Sequence, residues 1–197
     1  AMGPDRKVNT DMEHYLKLRP VEKTPIWGRE LWVIAAHEHG DSEILNGAWK
    51  GKTLRWLWDN HREYFGNMQG KRFPLLIKEI TAEADLSIQV HPDNAYACAH
   101  ENGASGKNEC WYILEAREGA SLIMGHNARS RQEAEEMIRE GRWQDFLRQV
   151  LVKPGDFFQI DAGCIHSIKG GIRLLEIQQN SDITYRLYDY GRLDKDG

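Results

Sequence analysis

Short segments in which polar and apolar residues alternate succeed one another from residue 75 to residue 188, and this pattern limits the fold more than any other feature. A period of two is typical of strands whose two faces meet different surroundings. Many short strands predict a mainly β protein, either a sandwich or a barrel, with a few peripheral helices. The segments with this pattern are Leu75–Thr81, Leu86–His91, Glu109–Glu115, Ala120–Gly125, Gln149–Lys153, Asp156–Ile160, Ile165–Ile168, Ile172–Gln178 and Ile183–Tyr188.

The segment Leu86–Pro92 is the most informative of these strands because its two faces differ in chemistry. Strand alternation places Ser87, Gln89 and His91 on one face. The residues between them are leucine, isoleucine and valine, which suit a buried core. One face of this strand is therefore expected to contribute to a functional site, and the other face to pack in the core.

Four residues form a candidate ligand set for a divalent metal ion: Gln89, His91, Glu109 and His166. Zinc and similar ions bind imidazole nitrogen and carboxylate or amide oxygen, and a catalytic site keeps one position open for water or substrate. Each residue also has a structural interpretation, since buried histidines are often hydrogen-bonded core residues and a single glutamate is usually solvated. The residues by themselves leave both interpretations open.

Helical periodicity is limited to three parts of the chain. Apolar residues at helical spacing predict a helix over 53–65, ended by the Gly-Asn step at residues 66–67. Two further helices are expected over 131–141 and 142–149, which together form a helical insertion at about residues 129–149.

The chain is expected to form a single domain over residues 16–197. Its 197 residues suit one well-packed domain, and no repeat or Pro/Gly/Ser-rich linker divides them. Residues 1–15 are polar and unpatterned, which is typical of a flexible terminus or a remnant of cloning.

The charge balance and the cysteines limit the partners and the compartment. Lysine and arginine number 26 against 30 aspartates and glutamates, a net charge of −4, so there is no broad basic surface for nucleic acid or anionic membrane. No apolar run approaches the roughly 20 residues of a membrane helix. Three cysteines without a CxxC pair do not suit a disulfide framework, which favours a reducing, cytoplasmic compartment and a small soluble partner.

The segment Gly155–His166 raises the weight of the metal interpretation. It places a glycine at each corner of a hairpin and a histidine on the returning strand, and in this it resembles the second motif of the cupins. That motif normally carries proline where this chain has Asp161, a difference that affects the turn and leaves the histidine position intact.

Four motifs in the same order extend the resemblance to the type I mannose-6-phosphate isomerases, from about Trp27 to Arg192. This resemblance implies a cupin jelly roll and a metal-dependent enzyme, with zinc as the expected ion. The implied reaction interconverts mannose 6-phosphate and fructose 6-phosphate through an enediol or enediolate. Typical members carry a further β domain, so the chain is expected to be a short form without it. The motifs are Phe73–Lys78, Leu86–Pro92, Gly106–Tyr112 and Glu176–Arg186.

The resemblance also implies roles for particular residues. Moving a carbonyl from C1 to C2 requires a base that removes a weakly acidic proton and a fixed positive charge beside the developing oxyanion. Burial would bring a base near working pH by raising the pKa of Glu176 or lowering that of Lys107, and the sequence leaves both open. The implied metal ligands are His91, Glu109, His166 and, more weakly, Gln89; the implied catalytic residues are Arg186, Lys107, Glu176 and Asp182; the implied phosphate-binding residues are Ser87, Lys78 and Arg192.

Three hypotheses about function follow from these residues. The first is the isomerase, the second a non-catalytic cupin that binds a sugar or sugar phosphate for regulation, and the third another cupin enzyme such as an iron oxygenase. The pair Lys107 and Arg186 favours sugar-phosphate chemistry. Exposed strand edges favour a homodimer. Five further histidines match no ligand position and are expected to be surface or structural residues: His37, His39, His61, His100 and His126.

Overall fold

The computed structural model describes residues 15–193, and all structural statements refer to that part of the chain. Residues 1–14 lie outside it, so the expectation of a flexible terminus there is untested. The strands are β1 (Val21–Lys23), β2 (Gly28–Ile34), β3 (Ala36–His37), β4 (Gly40–Asp41), β5 (Leu75–Ala82), β6 (Ile88–Val90), β7 (Glu109–Ala116), β8 (Ser121–His126), β9 (Leu147–Leu151), β10 (Phe157–Ile160), β11 (His166–Ile168), β12 (Ile172–Gln179) and β13 (Tyr185–Tyr188).

Two antiparallel sheets form the body of the fold. The larger sheet has the order β1-β2-β5-β12-β7-β10, and the smaller has the order β13-β6-β11-β8-β9. Strands β3 and β4 form a separate hairpin. The two sheets share a buried cluster that includes Trp111 and Leu174 from the larger and Leu122 and Ile168 from the smaller. Each such side chain contributes about 1.5–3 kcal/mol by leaving water. The predicted β-sandwich is confirmed.

The helices lie outside the two sheets and begin at residues with suitable side chains. Thr53, Asp93 and Ser130 each accept a hydrogen bond from a backbone N–H group of the first helical turn. The helices are α1 (Leu54–Asn60), a 3₁₀ helix (Arg62–Phe65), α2 (Asn94–His100), α3 (Arg131–Arg139) and α4 (Trp143–Phe146).

Two of the helix predictions need correction. The helix expected over 53–65 is broken at His61, whose φ of −140° is not helical, so a 3₁₀ turn replaces its second half. It ends at Gly66 in the left-handed region, as predicted. The helix expected over 142–149 ends at Phe146, because Leu147 is extended and begins β9. The helical part of the insertion is therefore shorter than residues 129–149.

Five elements were not predicted from the sequence, namely strands β1 to β4 and helix α2. Strands β1 and β2 precede the predicted strands and add two members to the larger sheet, where β2 pairs with β5. Helix α2 consists mainly of alanine and polar residues and carries no apolar period that would indicate a helix. These omissions concern the surroundings of the site, because β2 forms one of its walls and α2 precedes Lys107.

No helix within residues 15–193 is long and apolar enough to span a membrane. The three cysteines are free, with Cys98 exposed and Cys110 and Cys164 partly buried.

Candidate metal centre and active site

Three strand ends bring the predicted histidine and glutamate ligands together. His91 directly follows β6, Glu109 is the first residue of β7 and His166 is the first residue of β11. Their ligand atoms all lie within 4.8 Å of one another, and all three side chains are buried. Nε2 of His166 lies 3.1 Å from Nε2 of His91 and 3.3 Å from Oε1 of Glu109. Residues distant in sequence thus form one compact donor cluster.

Backbone contacts orient both imidazole rings toward this cluster. Nδ1 of His91 lies 2.9 Å from the carbonyl oxygen of Ile183, and Nδ1 of His166 lies 2.9 Å from that of Cys164. A carbonyl oxygen only accepts, so each Nδ1 carries the proton and donates. The lone pair on each neutral ring is then on Nε2, the atom that faces the cluster. Such an arrangement is typical of metal-binding histidines.

The electrostatics of Glu109 fit a divalent cation. Both carboxylate oxygens are buried and lack a hydrogen-bond partner among the described residues. Buried carboxylate oxygens without hydrogen bonds are costly even when a cation lies nearby, and a divalent ion bound by the cluster would coordinate them. Burial lowers the pKa of His91 to about 4, which keeps its ring neutral and able to bind a metal. The donor set of two imidazoles and one carboxylate therefore fits a divalent ion.

Lys107 lies against the same cluster. Its Nζ is 3.0 Å from Nε2 of His91 and 3.1 Å from Oε2 of Glu109. Burial alone would lower the pKa of Lys107, but the carboxylates of Glu109 and Glu176 outweigh burial and raise it. The lowered pKa that would let Lys107 act as a base near neutral pH is therefore not found. Burial by itself would raise the pKa of Glu109. The effects of Lys107 and the two histidines outweigh burial, so the pKa of Glu109 lies well below its usual value.

Gln89 lies beside the cluster without joining it. It pairs with His166 across β6 and β11, and its Nε2 lies 3.5 Å from Nε2 of that histidine. Its Oε1 accepts a hydrogen bond of 3.3 Å from the Ser87 hydroxyl. The predicted role as a fourth ligand would require the amide oxygen to face the metal, and it stays a prediction.

A cavity of about 600 Å³ opens beside the cluster between the two sheets. The residues implied in catalysis all line this cavity: Lys107, Glu176, Asp182 and Arg186. The residues implied in phosphate binding line it as well: Lys78, Ser87 and Arg192. The structure therefore brings every predicted substrate-site residue to one cavity.

Arg186 is the cation of this cavity that lacks a carboxylate partner. It lies on β13 opposite Gln89 and is exposed. Within residues 15–193, no carboxylate oxygen lies within 4.0 Å of its guanidinium. Arg192, by contrast, forms an ion pair with Asp189 and donates to the carbonyl oxygen of Asp85 at 2.6 Å. Arg186 is thus the guanidinium best placed to meet an anionic ligand.

Lys78 is held between two carboxylates on the opposite wall. Its Nζ lies 3.4 Å from Oε1 of Glu176 and 3.7 Å from Oε2 of Glu30. The Trp111 indole donates to Oε2 of Glu176 at 2.9 Å. Burial, and next the charge of Glu109, raise the pKa of Glu176, as expected for a buried base. Lys78 therefore lies between buried Glu176 and partly buried Glu30 as well as lining the cavity.

Comparison with known proteins assigns the family. Residues 3–133 match the model of the phosphomannose isomerase type I catalytic domain. The chain belongs to the type I phosphomannose isomerases. Family members are metal-dependent, which agrees with the buried histidine and glutamate cluster.

Relatives in this family are similar to the chain over most of its length. Mannose-6-phosphate isomerase ManA of Bacillus subtilis is 49% identical, over 92% of this chain and 63% of the relative. Mannose-6-phosphate isomerase of Streptococcus mutans is 51% identical, over 85% of this chain and 53% of the relative. The chain thus spans about 63% of the length of the first of these relatives.

A solved structure supports the same assignment. The crystal structure of mannose 6-phosphate isomerase from Bacillus subtilis has a TM-score of 0.90 and 46% sequence identity, over 92% of this chain and 63% of that one. The expected cupin jelly-roll class is thereby confirmed.

One wall of the cavity was given no site residues by the sequence. Trp27, Glu30 and Trp32 line it from β2 and the turn before it. Nε1 of Trp32 donates to Oε2 of Glu30 at 2.6 Å. The apolar run that follows Glu30 could have indicated a strand at this place. Only the pairing of β2 with β5 shows that Glu30 lies beside Lys78.

Asp182 also has partners that the sequence did not predict. Its Oδ2 lies 2.6 Å from Nδ1 of His39, and its Oδ1 lies 3.8 Å from Nε2 of His37. Burial would raise the pKa of Asp182, but these histidines outweigh it, so the pKa is lowered and the carboxylate is ionised. His39 is a surface residue, as expected, but it contacts a cavity-lining side chain.

Gly106 holds the loop that presents Lys107. The Lys107 N–H group donates to the carbonyl oxygen of Pro92 at 3.0 Å, and the Gly106 N–H group donates to the Asn94 side chain at 2.9 Å. A Cβ atom on Gly106 would lie 2.4 Å from the carbonyl carbon of Asp93. Backbone atoms cannot yield as a flexible side chain can, so any substituent must open the loop.

Gly106→Ala is therefore expected to displace Lys107 and to lower the free energy of unfolding by about 2 kcal/mol, as overpacking typically does. Urea denaturation measures the change, and Ser105→Ala in the same loop is the control. Equal stability of the two variants would contradict the close approach at Gly106.

Proposed function

We propose that the chain is the catalytic part of a divalent-metal-dependent aldose–ketose isomerase that interconverts mannose 6-phosphate and fructose 6-phosphate. The observation that carries the proposal is that Lys107, which contacts the His91, Glu109 and His166 cluster, lines one cavity together with unpaired Arg186. The relatives named mannose-6-phosphate isomerase supply the substrate.

The reaction moves a carbonyl between C1 and C2 through an enediolate. An ion held by His91, Glu109 and His166 would polarise and orient the sugar oxygens. Arg186 stabilises the negative charge that develops on oxygen, because a guanidinium keeps its charge throughout and donates in a fixed geometry. A preorganised charge of this kind lowers the barrier without reorganising during the reaction.

Proton transfer between C2 and C1 falls to Lys107 or Glu176. Both line the cavity, and Lys107 contacts two members of the cluster. Glu176 is fully buried beside Lys78 and Trp111, which fix its carboxylate in one orientation. A base held rigidly beside the reacting carbon needs no further ordering when substrate binds.

The phosphate is proposed to bind among Ser87, Lys78 and Arg192. A hydroxyl beside cationic groups donates several hydrogen bonds to a dianion. Arg192 is the more accessible cation, since the side chain of Lys78 is 7% exposed and that of Arg192 is 23% exposed. Lys78 would then act mainly through its charge.

The ion is proposed to be zinc, because zinc favours imidazole nitrogen together with carboxylate oxygen. A cytoplasmic location is proposed because the three cysteines are free. A homodimer stays a prediction from the strand edges.

The proposed activity is tested with metal-loaded protein and mannose 6-phosphate. Formation of fructose 6-phosphate, followed by NMR, is expected to stop after treatment with a chelator and to return when zinc is added. Mannose is the matched control, because it lacks the phosphate that the cavity cations would bind. Tight binding of mannose 6-phosphate without turnover by the metal-loaded protein would reject the isomerase in favour of the regulatory cupin.

A further inference from the structure

The turn between β10 and β11 lies against the metal-ligand cluster. Residues Asp161–Cys164 form a β-turn, closed by a 3.1 Å hydrogen bond from the Cys164 N–H group to the carbonyl oxygen of Asp161. Gly163 has a φ of +85°, the left-handed conformation that the third residue of a type II turn requires. The turn is thus closed by its own backbone, and its other backbone groups can bond neighbouring segments.

Two backbone groups of this turn bind the two histidine ligands. The Gly163 N–H group donates to the carbonyl oxygen of His91 at 2.9 Å. Nδ1 of His166 donates to the carbonyl oxygen of Cys164, also at 2.9 Å. The first bond holds the backbone at His91, and the second holds the ring of His166. Both histidines are therefore referred to the same short turn.

Glu109, the third ligand, is connected to this turn through the residue before it. The Ala162 N–H group donates to Oδ1 of Asn108 at 2.8 Å. Both carboxylate oxygens of Glu109 lack a hydrogen-bond donor among the described residues. Outside its ionic contacts in the cluster, Glu109 is therefore held through its backbone, at the point where Asn108 joins the turn.

The side chain of Asn108 has one defined orientation. Its N–H group and its Nδ2 donate to Oε1 of Gln179 at 2.9 and 3.0 Å, and its carbonyl oxygen accepts from the Gln179 N–H group at 3.0 Å. Nε2 of Gln179 donates to Oδ1 of Asn94 at 3.2 Å, and the same oxygen accepts from the Gly106 N–H group. Every polar group of Asn108 is thus bonded. A backbone N–H group only donates, so the side-chain oxygen, and not the nitrogen, faces the turn.

We infer that Asn108 is a positioning residue that holds Glu109 in register with the two histidine ligands through the turn Asp161–Cys164. Glu109 begins β7 of the larger sheet, whereas both histidines belong to strands β6 and β11 of the smaller sheet or directly follow them. The turn is where the chain passes from one sheet to the other. The bond from the turn to Asn108 therefore sets the separation of donors that come from different sheets.

This separation matters because a metal ion accepts its donors only within narrow distances. A ligand set that is already in place when the ion arrives binds it more tightly than one that must be ordered first. The inference rests on the metal-binding part of the proposed function and is independent of its substrate.

The test measures zinc affinity and the state of the turn separately from activity. Zinc-loaded protein is titrated with a chromogenic chelator, and the transfer of zinc gives its Kd. Asn108→Ala is expected to raise this Kd by about tenfold, the lower end of the usual effect of residues that orient metal ligands. Hydrogen exchange followed by NMR should show faster exchange of the Ala162 amide proton, which has lost its acceptor. Asn108 is partly buried, so the variant should fold.

A conservative variant and a matched control separate positioning from a general loss of stability. Asn108→Asp keeps an oxygen that accepts from the Ala162 N–H group, so most of the zinc affinity should return. It is compared with wild type in about 1 M salt, where a screening length of about 3 Å limits the effect of the added charge. Asn46→Ala is the control, because Asn46 likewise accepts from a backbone N–H group, that of Lys17, and donates to a carbonyl oxygen, that of Tyr15. Its Kd for zinc should equal that of wild type.

Wild-type zinc affinity in Asn108→Ala, an equal loss in Asn46→Ala, or no recovery in Asn108→Asp would overturn the positioning role. The expected changes in Kd without turnover of mannose 6-phosphate by the wild type would keep this inference and reject the isomerase. Wild-type protein that binds no zinc would reject the metal centre and both proposals with it.

Discussion

Replacing His166 with alanine is expected to abolish tight metal binding and the stabilisation that the metal gives the fold. Nε2 of His166 faces both other ligands, at 3.1 Å from His91 and 3.3 Å from Glu109, so its loss leaves an incomplete donor set. With metal present at 100 times its Kd, a bound ion stabilises the native state by about 2.7 kcal/mol. That increment should disappear in the variant.

The measurement compares urea denaturation with and without added zinc, and elemental analysis after dialysis. Wild-type protein should hold one ion per chain and unfold at higher urea when zinc is added, whereas His166→Ala should do neither. The exposed residue His126 provides the matched variant His126→Ala, which should keep both properties. Retention of a stoichiometric ion by His166→Ala would reject this ligand set.

The strand pattern of the sequence predicted most of the fold that carries these ligands. In Leu86–Pro92 each second residue faces the site, and the structure places Ser87, Gln89 and His91 at the cavity or the cluster, as the period of two requires. The intervening Ile88 is fully buried. The apolar face of a strand faces the core, and this fixes the register of the strand in its sheet. The residues on the other face of the same strand can therefore be assigned a common direction from the sequence.

Contacts between distant segments could not be predicted in this way. His39 and Asp182 are separated by 143 residues, and neither lies in a periodic segment that fixes its direction. Glu30 lies beside Lys78 because β2 pairs with β5, a pairing that depends on the folded sheet and not on local spacing. The family resemblance supplied the metal and substrate residues, but it gave no partner for Asp182.

The pKa expectations show the same limit. Burial alone would have lowered the pKa of Lys107, and only the folded structure reveals the nearby carboxylates that reverse the direction. For Glu176 burial remains the largest cause, so the expected rise is found. Desolvation can be anticipated from a buried strand, whereas the sign of neighbouring charges requires the three-dimensional arrangement.

Arg186→Ala is expected to lower kcat by about 100-fold to 1000-fold, the usual cost of removing a group that stabilises a developing oxyanion. Metal content should not change, because Arg186 is not part of the His91, Glu109 and His166 cluster. No carboxylate of the described chain pairs with its guanidinium, so its removal leaves no buried charge unpaired and stability should be nearly unaffected.

A charge-preserving variant decides how the guanidinium acts. Arg186→Lys keeps the positive charge but loses the planar fork, so it should recover only part of kcat if directed hydrogen bonds matter. Arg139→Ala on α3 removes another exposed guanidinium and should retain wild-type kcat. Loss of metal from Arg186→Ala would make Arg186 a support of the ligand cluster, and turnover within a fewfold of wild type would remove it from the reaction. Reduced kcat with unchanged metal leaves stabilisation of the enediolate as its role, because no other cavity cation is free of a carboxylate partner among the described residues.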